Sequence, residues 1–206
     1  MTEPTRQPIG LTILARRAEL GKGKTRLAAT VGATRALAIY RQLVARTAAA
    51  ARASGLPTKV LFDPEPGDQD LWPPEAFTYG VQPAGTDLGA RIAAALDGTD
   101  GDGALIIGTD CPELTGAVLA EAAAALADDD AVLGPSADGG FYLLGLRGPV
   151  GSLFDGIAWS TSEVADRLRA NLRRAGLTWR ELPTLRDVDT EADWDAYRAS
   201  LPSATT

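Results

Sequence analysis

The sequence has 206 residues, 45% apolar and 23% charged, with a formal net charge of −7, one cysteine and no histidine. The length fits one domain over 1–206, with a core over about 9–200, that folds without disulfide or metal staples. The lone Cys111 excludes an internal disulfide framework, and the missing histidine excludes a Ser-His-Asp triad, a Cys-His pair and histidine-based metal sites.

Strand and helix signals alternate along the chain. Leu11–Ala15 is an apolar, β-branched run that predicts a buried strand, and Arg16–Lys24 is a loop with Gly21 and Gly23. Thr34–Ala53 predicts an Ala-rich helix with Leu37, Tyr40, Val44 and Thr47 on one face, stopped by Ser54-Gly55-Leu56-Pro57. Thr58–Phe62 is the next strand. Asp63–Pro74, with four prolines and four acids, reads as a surface loop. Phe77–Gln82 is a short strand and Leu88–Leu96 a helix. Gly103–Gly108 is a continuous apolar run of the buried parallel kind.

Thr115 caps a predicted helix to Ala127. Strands at Ala131–Gly134 and Phe141–Leu146 flank a Ser-Ala-Asp-Gly-Gly loop. Ser160 with Glu163 matches a capping box for a helix ending at Ala175 before Gly176. Thr178–Leu182 is a strand, Thr190 starts a last helix to about Ser200, and residues 202–206 read as a frayed tail. The alternation predicts an α/β fold, a mostly parallel sheet with helices on both faces. Ligands of such sheets sit beyond the strands' carboxyl ends, which singles out loops 16–26, 109–114, 136–140 and 183–189.

Charge is uneven along the chain: residues 1–60 hold eleven Lys/Arg against two acids, and the remainder is strongly acidic. That places cations where phosphates could sit and carboxylates where a metal could, or it reflects uneven helix surfaces. The acidic balance and six per cent aromatics argue against nucleic acid as a partner. No apolar run approaches the ~20 residues of a membrane span. The first ten residues lack a signal-peptide pattern, so the expected compartment is the cytoplasm, without membrane association.

The first loop offers glycines, Lys24 and Arg26, a combination suited to a triphosphate. Gly23-Lys24-Thr25 ends like a P-loop, but Ala18 stands where the first P-loop glycine belongs. A basic solvent loop is the alternative. Removing Lys24 or Arg26 is expected to weaken nucleotide binding and leave the apo fold nearly as stable. Asp110 directly follows an apolar strand, where a carboxylate needs a cation or a turn to cap. Cys111 reads as a packed thiol. Asp138-Gly139-Gly140 is by itself an ordinary turn. Asp187 and Asp189, two apart, can share one side of an extended segment and address one cation, unless Asp189 merely caps the last helix. The Asp128-Asp129-Asp130 run reads as solvated surface.

Taken in order, Gly21 with Lys24-Thr25-Arg26-Leu27, Asp87-Leu88-Gly89 with Arg91, Gly108-Thr109-Asp110-Cys111-Pro112, Gly134-Pro135, Asp138-Gly139-Gly140-Phe141-Tyr142, Trp159-Ser160-Thr161 and Asp187-Val188-Asp189-Thr190 form a recognisable set. The set resembles the nucleotide-diphospho-sugar transferase superfamily. Within it, the closest likeness is to a bacterial family carrying a glycosyltransferase label, related to 2-phospholactate guanylyltransferase and MobA-like NTP transferases. The chain departs from that pattern at Arg16 (usually lysine), at Ala18 and Leu20 (usually prolines) and at Phe141 (usually tyrosine).

The resemblance implies a Rossmann-like GT-A fold. It implies a nucleoside triphosphate or nucleotide sugar held by Arg16, Gly21, Lys24, Thr25, Arg26, Asp87, Gly89, Asp110 and Gly139. It also implies Mg²⁺, or Mn²⁺ in its place, at Asp110, with Asp187 and Asp189 as further candidates and Asp187 preferred. The expected reaction is nucleotidyl transfer to a small phosphorylated or phosphonate acceptor with pyrophosphate release. Lys24, Arg26 and Asp110 would be its working residues, and Ser160 and Thr161 would lie near the acceptor. The alternatives are a glycosyltransferase with Asp138 as its base, and a nucleotide-binding regulatory protein without turnover.

Overall fold

The structure, a computed structural model, describes residues 8–85, 87–97 and 102–201. The predicted tail at 202–206 lies outside the described residues. In chain order the elements are β1 (Gly10–Arg16), α1 (Thr25–Val31), α2 (Ala33–Ser54), β2 (Thr58–Asp63), β3 (Thr78–Val81), α3 (Leu88–Asp97) and β4 (Ala104–Ile107). They continue with α4 (Gly116–Ala125), β5 (Ala131–Pro135), β6 (Phe141–Leu146), α5 (Val164–Ala175), β7 (Trp179–Glu181) and α6 (Glu191–Ser200). The strands form one seven-stranded sheet in the order β3-β2-β1-β4-β6-β5-β7.

Every pairing in that sheet is parallel except those of β6, which runs against both β4 and β5. The apolar run of β4 therefore pairs in parallel on one side only. Continuous hydrophobicity reports that both faces of a strand are covered, not which way its neighbours run. Its alternation is plain: Leu105 and Ile107 point into one core cluster, Ala104 and Ile106 into the other. The first cluster packs under α2 and α4, the second under α3 and α5. Gly116 lets α2 and α4 approach closely; a Cβ there would stand 2.7 Å from that of Ala53. A third cluster, around Leu27, Ile39, Leu43, Val188, Trp194 and Tyr197, fastens α1 and α6 against α2.

Thr115 caps α4 by accepting from Val118 N, and Gly55 and Gly176 end α2 and α5 in the left-handed conformation. Thr190 and Asp193 form a reciprocal capping box at α6. The capping box expected at Ser160 does not form. Helix α5 starts at Val164, and Ser160 sits in a turn with φ 64. A tertiary contact replaces the cap, because the carbonyl of Gly139 accepts the Ala165 N–H at 2.9 Å.

One further loop differs from its expected surface character, while the Asp128-Asp129-Asp130 run lies at the surface as expected, with Asp128 and Asp130 exposed. In 63–74, Trp72 is fully buried and packs edge-on against Phe77, while Asp68 Oδ2 accepts the Ala18 N–H at 2.6 Å and braces the first loop. In the acidic run, Asp130 accepts from Thr178 N and Oγ1, and Asp129 pairs with Arg180 at 3.3 Å. These two acids pin β7 to the sheet.

Candidate active site

A cleft of about 720 Å³ opens at the carboxyl ends of β1 and β4. Of the residues predicted for a site it collects Arg16, Lys24, Thr25, Arg26, Asp110, Asp138, Ser160, Thr161, Asp187 and Asp189. Gly21, Asp87, Gly89 and Gly139 do not line it. Asp87 caps α3, its Oδ1 accepting from Ala90 N at 2.8 Å. Gly89 makes room for the Trp159 ring, which does line the cleft and which a Cβ would overlap. Gly139, at φ 89, passes so close to the Ser162 carbonyl that no side chain fits. Gly21 borders a small hollow behind the first loop.

Lys24 is the hub of the charged end. It occupies the left-handed region, φ 44, just ahead of α1, and only 8% of its side chain is exposed. Its Nζ lies 2.9 Å from Asp110 Oδ1, 3.0 Å from Asp189 Oδ1 and 2.6 Å from the Val188 carbonyl oxygen. An ammonium has three N–H donors, and these three acceptors use all of them. Burial alone would lower the Lys24 pKa; Asp110 and Asp189 outweigh it, and the net shift is upward. Arg26 also reaches Asp189, at 3.3 Å, but its side chain is 72% exposed and free to turn to a ligand. A main-chain bond from Val188 N to the Asp110 carbonyl, 2.9 Å, ties the two acidic loops together.

Asp187 faces the opposite situation. Burial foremost, and then the neighbouring carboxylates of Asp138 and Asp110, raise its pKa to about 7. Asp138 Oδ1 accepts from Ser136 Oγ at 2.5 Å and from Gly140 N at 2.9 Å. Among the described residues no group of three or more His, Cys, Asp or Glu side chains stands ready to hold a metal. The donor set nevertheless fits a cation held between protein and phosphates: Mg²⁺ uses about one or two carboxylates, with phosphate oxygens and water. Asp110 and Asp187 supply that number, and their mutual repulsion is what a cation would relieve. Asp189 is already engaged by Lys24 and Arg26.

The helical pattern placed Tyr40 in the core, and it is that and more. Its hydroxyl donates to the Arg16 carbonyl at 2.9 Å while accepting from Arg16 N and Thr109 Oγ1. It thereby locks the ends of β1 and β4 at the cleft floor. Gln82 also lines the cleft, donating its Nε2 to the carbonyls of Ala15 and Leu61. Its position as the last residue of the predicted strand Phe77–Gln82 is the one sign in the sequence that could have marked Gln82. Cys111 is buried, and burial pushes its thiol up to about 12, so it offers no nucleophile.

The bacterial family described as "Uncharacterized protein conserved in bacteria (DUF2064)" matches residues 45–161. No curated protein matches the sequence. A solved structure from Desulfovibrio desulfuricans G20, provisionally named a nucleotide-diphospho-sugar transferase, is similar at 30% identity and TM-score 0.83, covering 95% of this chain and 88% of that one. The inositol-1-phosphate CTP transferase of T. maritima shares the fold at 12% identity and TM-score 0.59, over 96% of this chain and 93% of its own. Rv0371c of Mycobacterium tuberculosis H37Rv, solved with manganese, shares it at 16% identity and TM-score 0.50, over 95% and 100%. Among the described residues no helix is long and apolar enough to cross a membrane.

Proposed function

Because this chain belongs to the bacterial family DUF2064, and because its cleft sets Lys24 and Arg26 beside the carboxylates of Asp110 and Asp189, we propose that it is a single-domain transferase using a nucleoside triphosphate. It moves the nucleotidyl group to a small phosphorylated or phosphonate acceptor and releases pyrophosphate. The observation that carries this reading is Lys24, held in the cleft wall beside Asp110, with Arg26 exposed next to it. Together they supply two positive charges where the β- and γ-phosphates of a triphosphate would lie.

In this reading the acceptor oxygen attacks the α-phosphorus as the bond to pyrophosphate breaks. Positioning and charge carry such a step, and little proton transfer is needed, which suits a protein without histidine. Lys24 exchanges one of its three acceptors for a phosphate oxygen, and Arg26 swings from Asp189 onto the leaving group. Asp110 and Asp187 would hold a divalent cation, Mg²⁺ or Mn²⁺, which when bound neutralises charge on the phosphate oxygens. Asp138 keeps Oδ2 free of hydrogen bonds among the described residues and can take the acceptor proton. Ser160, Thr161 and Gly140 line the side of the cleft where the acceptor would sit.

A glycosyl transfer is the second reading, favoured by the free Asp138 oxygen and by the name of the Desulfovibrio relative. Thermal-shift screening of nucleoside triphosphates and nucleotide sugars, with and without Mg²⁺ and Mn²⁺, followed by mass spectrometry of products, separates them. Pyrophosphate release supports nucleotidyl transfer. Nucleoside diphosphate released from a nucleotide sugar supports the second reading and refutes the first.

A further inference from the structure

Among the described residues, the cations that line the cleft are Arg16, Lys24, Arg26 and Arg91. The first three belong to the tip of β1 and the loop that follows it, where the triphosphate is assigned. Arg91 stands apart from them on α3, and the chemistry described so far gives it no part.

Its placement ties it to the other half of the cleft. Leu88, Arg91 and Ile92 share one face of α3, three and four residues apart, and all line the cleft. The same helix seats the turn that carries Ser160 and Thr161, because Gly89 makes room for the Trp159 ring. The chain just ahead of α3 is cut back in a similar way. A Cβ at Gly85 would stand 2.8 Å from Arg91 Cγ, so the glycine lets the arginine's stem pass.

The guanidinium itself is loosely held. Its ion-pair contact among the described residues is to Asp63 at 3.8 Å, beyond hydrogen-bond reach, between side chains 30% and 44% exposed. Such a pair is weak and readily exchanged. It leaves the planar fork of N–H donors open to a ligand in the cleft.

An anionic acceptor needs such a group. Asp110, Asp138, Asp187 and Asp189 line the cleft and repel a second anion, while the triphosphate occupies the cations of the first loop. A guanidinium grips two oxygens of a phosphate or phosphonate at once, which a carboxylate-lined wall cannot do.

We propose that Arg91 is the anion anchor of the acceptor half of the cleft. Its guanidinium leaves Asp63 and takes the acceptor's phosphate or phosphonate group, with Leu88 and Trp159 beside the neighbouring carbon atoms. The acceptor's role rests on the nucleotidyl-transfer reading; anion binding at Arg91 rests on the geometry alone.

The test uses the full chain, Mg²⁺ and the triphosphate that raises its melting temperature most, so that the cations of the first loop are occupied. Saturation-transfer NMR then measures propylphosphonate as the anionic probe and 1-butanol as its neutral counterpart. The phosphonate is expected to bind at least tenfold more tightly. Arg91→Gln should weaken it at least tenfold and leave the melting shift of the triphosphate unchanged. Arg91→Lys, which keeps the charge and loses the fork, should weaken it severalfold. Asp63→Asn leaves the arginine in place without its partner and should tighten the phosphonate severalfold, which keeps the proposal testable should Arg91→Gln fold poorly. Equal binding of phosphonate and butanol, or phosphonate binding that neither Arg91→Gln nor Asp63→Asn changes, would overturn the anchor. Loss of the triphosphate shift in Arg91→Gln would overturn it too, by placing Arg91 on the nucleotide. If no triphosphate shifts the melting temperature, the nucleotidyl reading falls, and an Arg91-dependent binding of propylphosphonate to the free protein leaves the anion position standing.

Discussion

Replacing Lys24 with methionine keeps the unbranched apolar stem of the side chain and removes its charge. Two effects follow, and the structure separates them. In the apo protein the change strips Asp110 and Asp189 of a shared cation. Breaking a fully buried pair costs about 3–5 kcal/mol and an exposed one about 0–1. Here a buried lysine, 8% exposed, meets carboxylates that are 46% and 43% exposed, so a loss of about 1–3 kcal/mol is expected between those limits. For a domain of this size that lowers Tm by roughly 2–12 °C. The sequence alone predicts no such loss, because it shows a phosphate ligand in a solvent loop rather than an ammonium whose three donors are already engaged. In the liganded protein, loss of a charge-assisted bond of ~1.5–3 kcal/mol weakens triphosphate binding roughly ten- to hundredfold. Scanning calorimetry of the apo proteins and titration calorimetry with a triphosphate measure the two. Arg26→Ala, at a side chain 72% exposed, is the control: its stability stays within ~0.5 kcal/mol of wild type while its affinity falls. A Lys24→Met protein that melts like wild type refutes the ion bridge, and one that binds triphosphate as tightly refutes the phosphate role.

Other outcomes follow from the same geometry. Asp187, raised to about 7 in the fold from an ordinary 3.8, binds its proton more tightly folded than unfolded, so its contribution to stability falls as pH rises from about 4 to 7. Asp187→Asn should therefore stabilise the apo protein at pH 8 relative to wild type and change little at pH 4, as read by thermal melts; a flat difference across that range would contradict the buried carboxylate cluster. Asp110→Asn should abolish turnover and keep the far-UV circular dichroism of wild type, whereas residual activity within tenfold of wild type would remove Asp110 from the chemistry. Ser160→Ala should leave Tm unchanged, because Ser160 caps nothing, while Thr190→Ala loses about 1 kcal/mol as a true helix cap. Gly139→Ala should prevent normal folding or dislodge the 160–163 turn, visible as lost expression or a Tm drop above about 5 °C in calorimetry, since a Cβ meets the Ser162 main chain.

The layered α/β architecture was legible because each element carries a local signal. β1 and β4 are short apolar runs, α2 is stopped by Gly55, and α6 is announced by Thr190. What was illegible depends on contacts between distant residues. The reversal of β6 leaves no mark in Phe141–Leu146, because a strand covered on both faces reads the same in either direction. Ser160 and Glu163 satisfy the capping pattern, yet the Gly139 carbonyl takes the helix's free N–H first. Trp72 lies in a proline-rich, acidic stretch whose composition says surface, and only the hollow beside Phe77 draws it in. At the site, residue types pointed to Lys24, Asp110, Asp187 and Asp189, and the fold brings them together. Sequence spacing could not say that Lys24 is already engaged by two of those carboxylates, nor that Tyr40, a member of the helical apolar face, fastens the cleft floor.

The reversed strand also divides the site by the range of contacts that build it. Asp138 sits at the tip of a hairpin whose two strands, β5 and β6, are joined by five residues, so that wall arises from neighbours in the chain. Lys24, Asp110 and Asp189 meet only after β1 has paired with β4 and the last loop has returned across more than 160 residues. Closing such distances is the slow part of forming a fold. The Lys24 end of the cleft is thus expected to be completed late and opened early, while the Asp138 wall rests on a unit that can form first. Amide protons of 131–146 should accordingly outlast those of 16–26 in hydrogen exchange under mild denaturant.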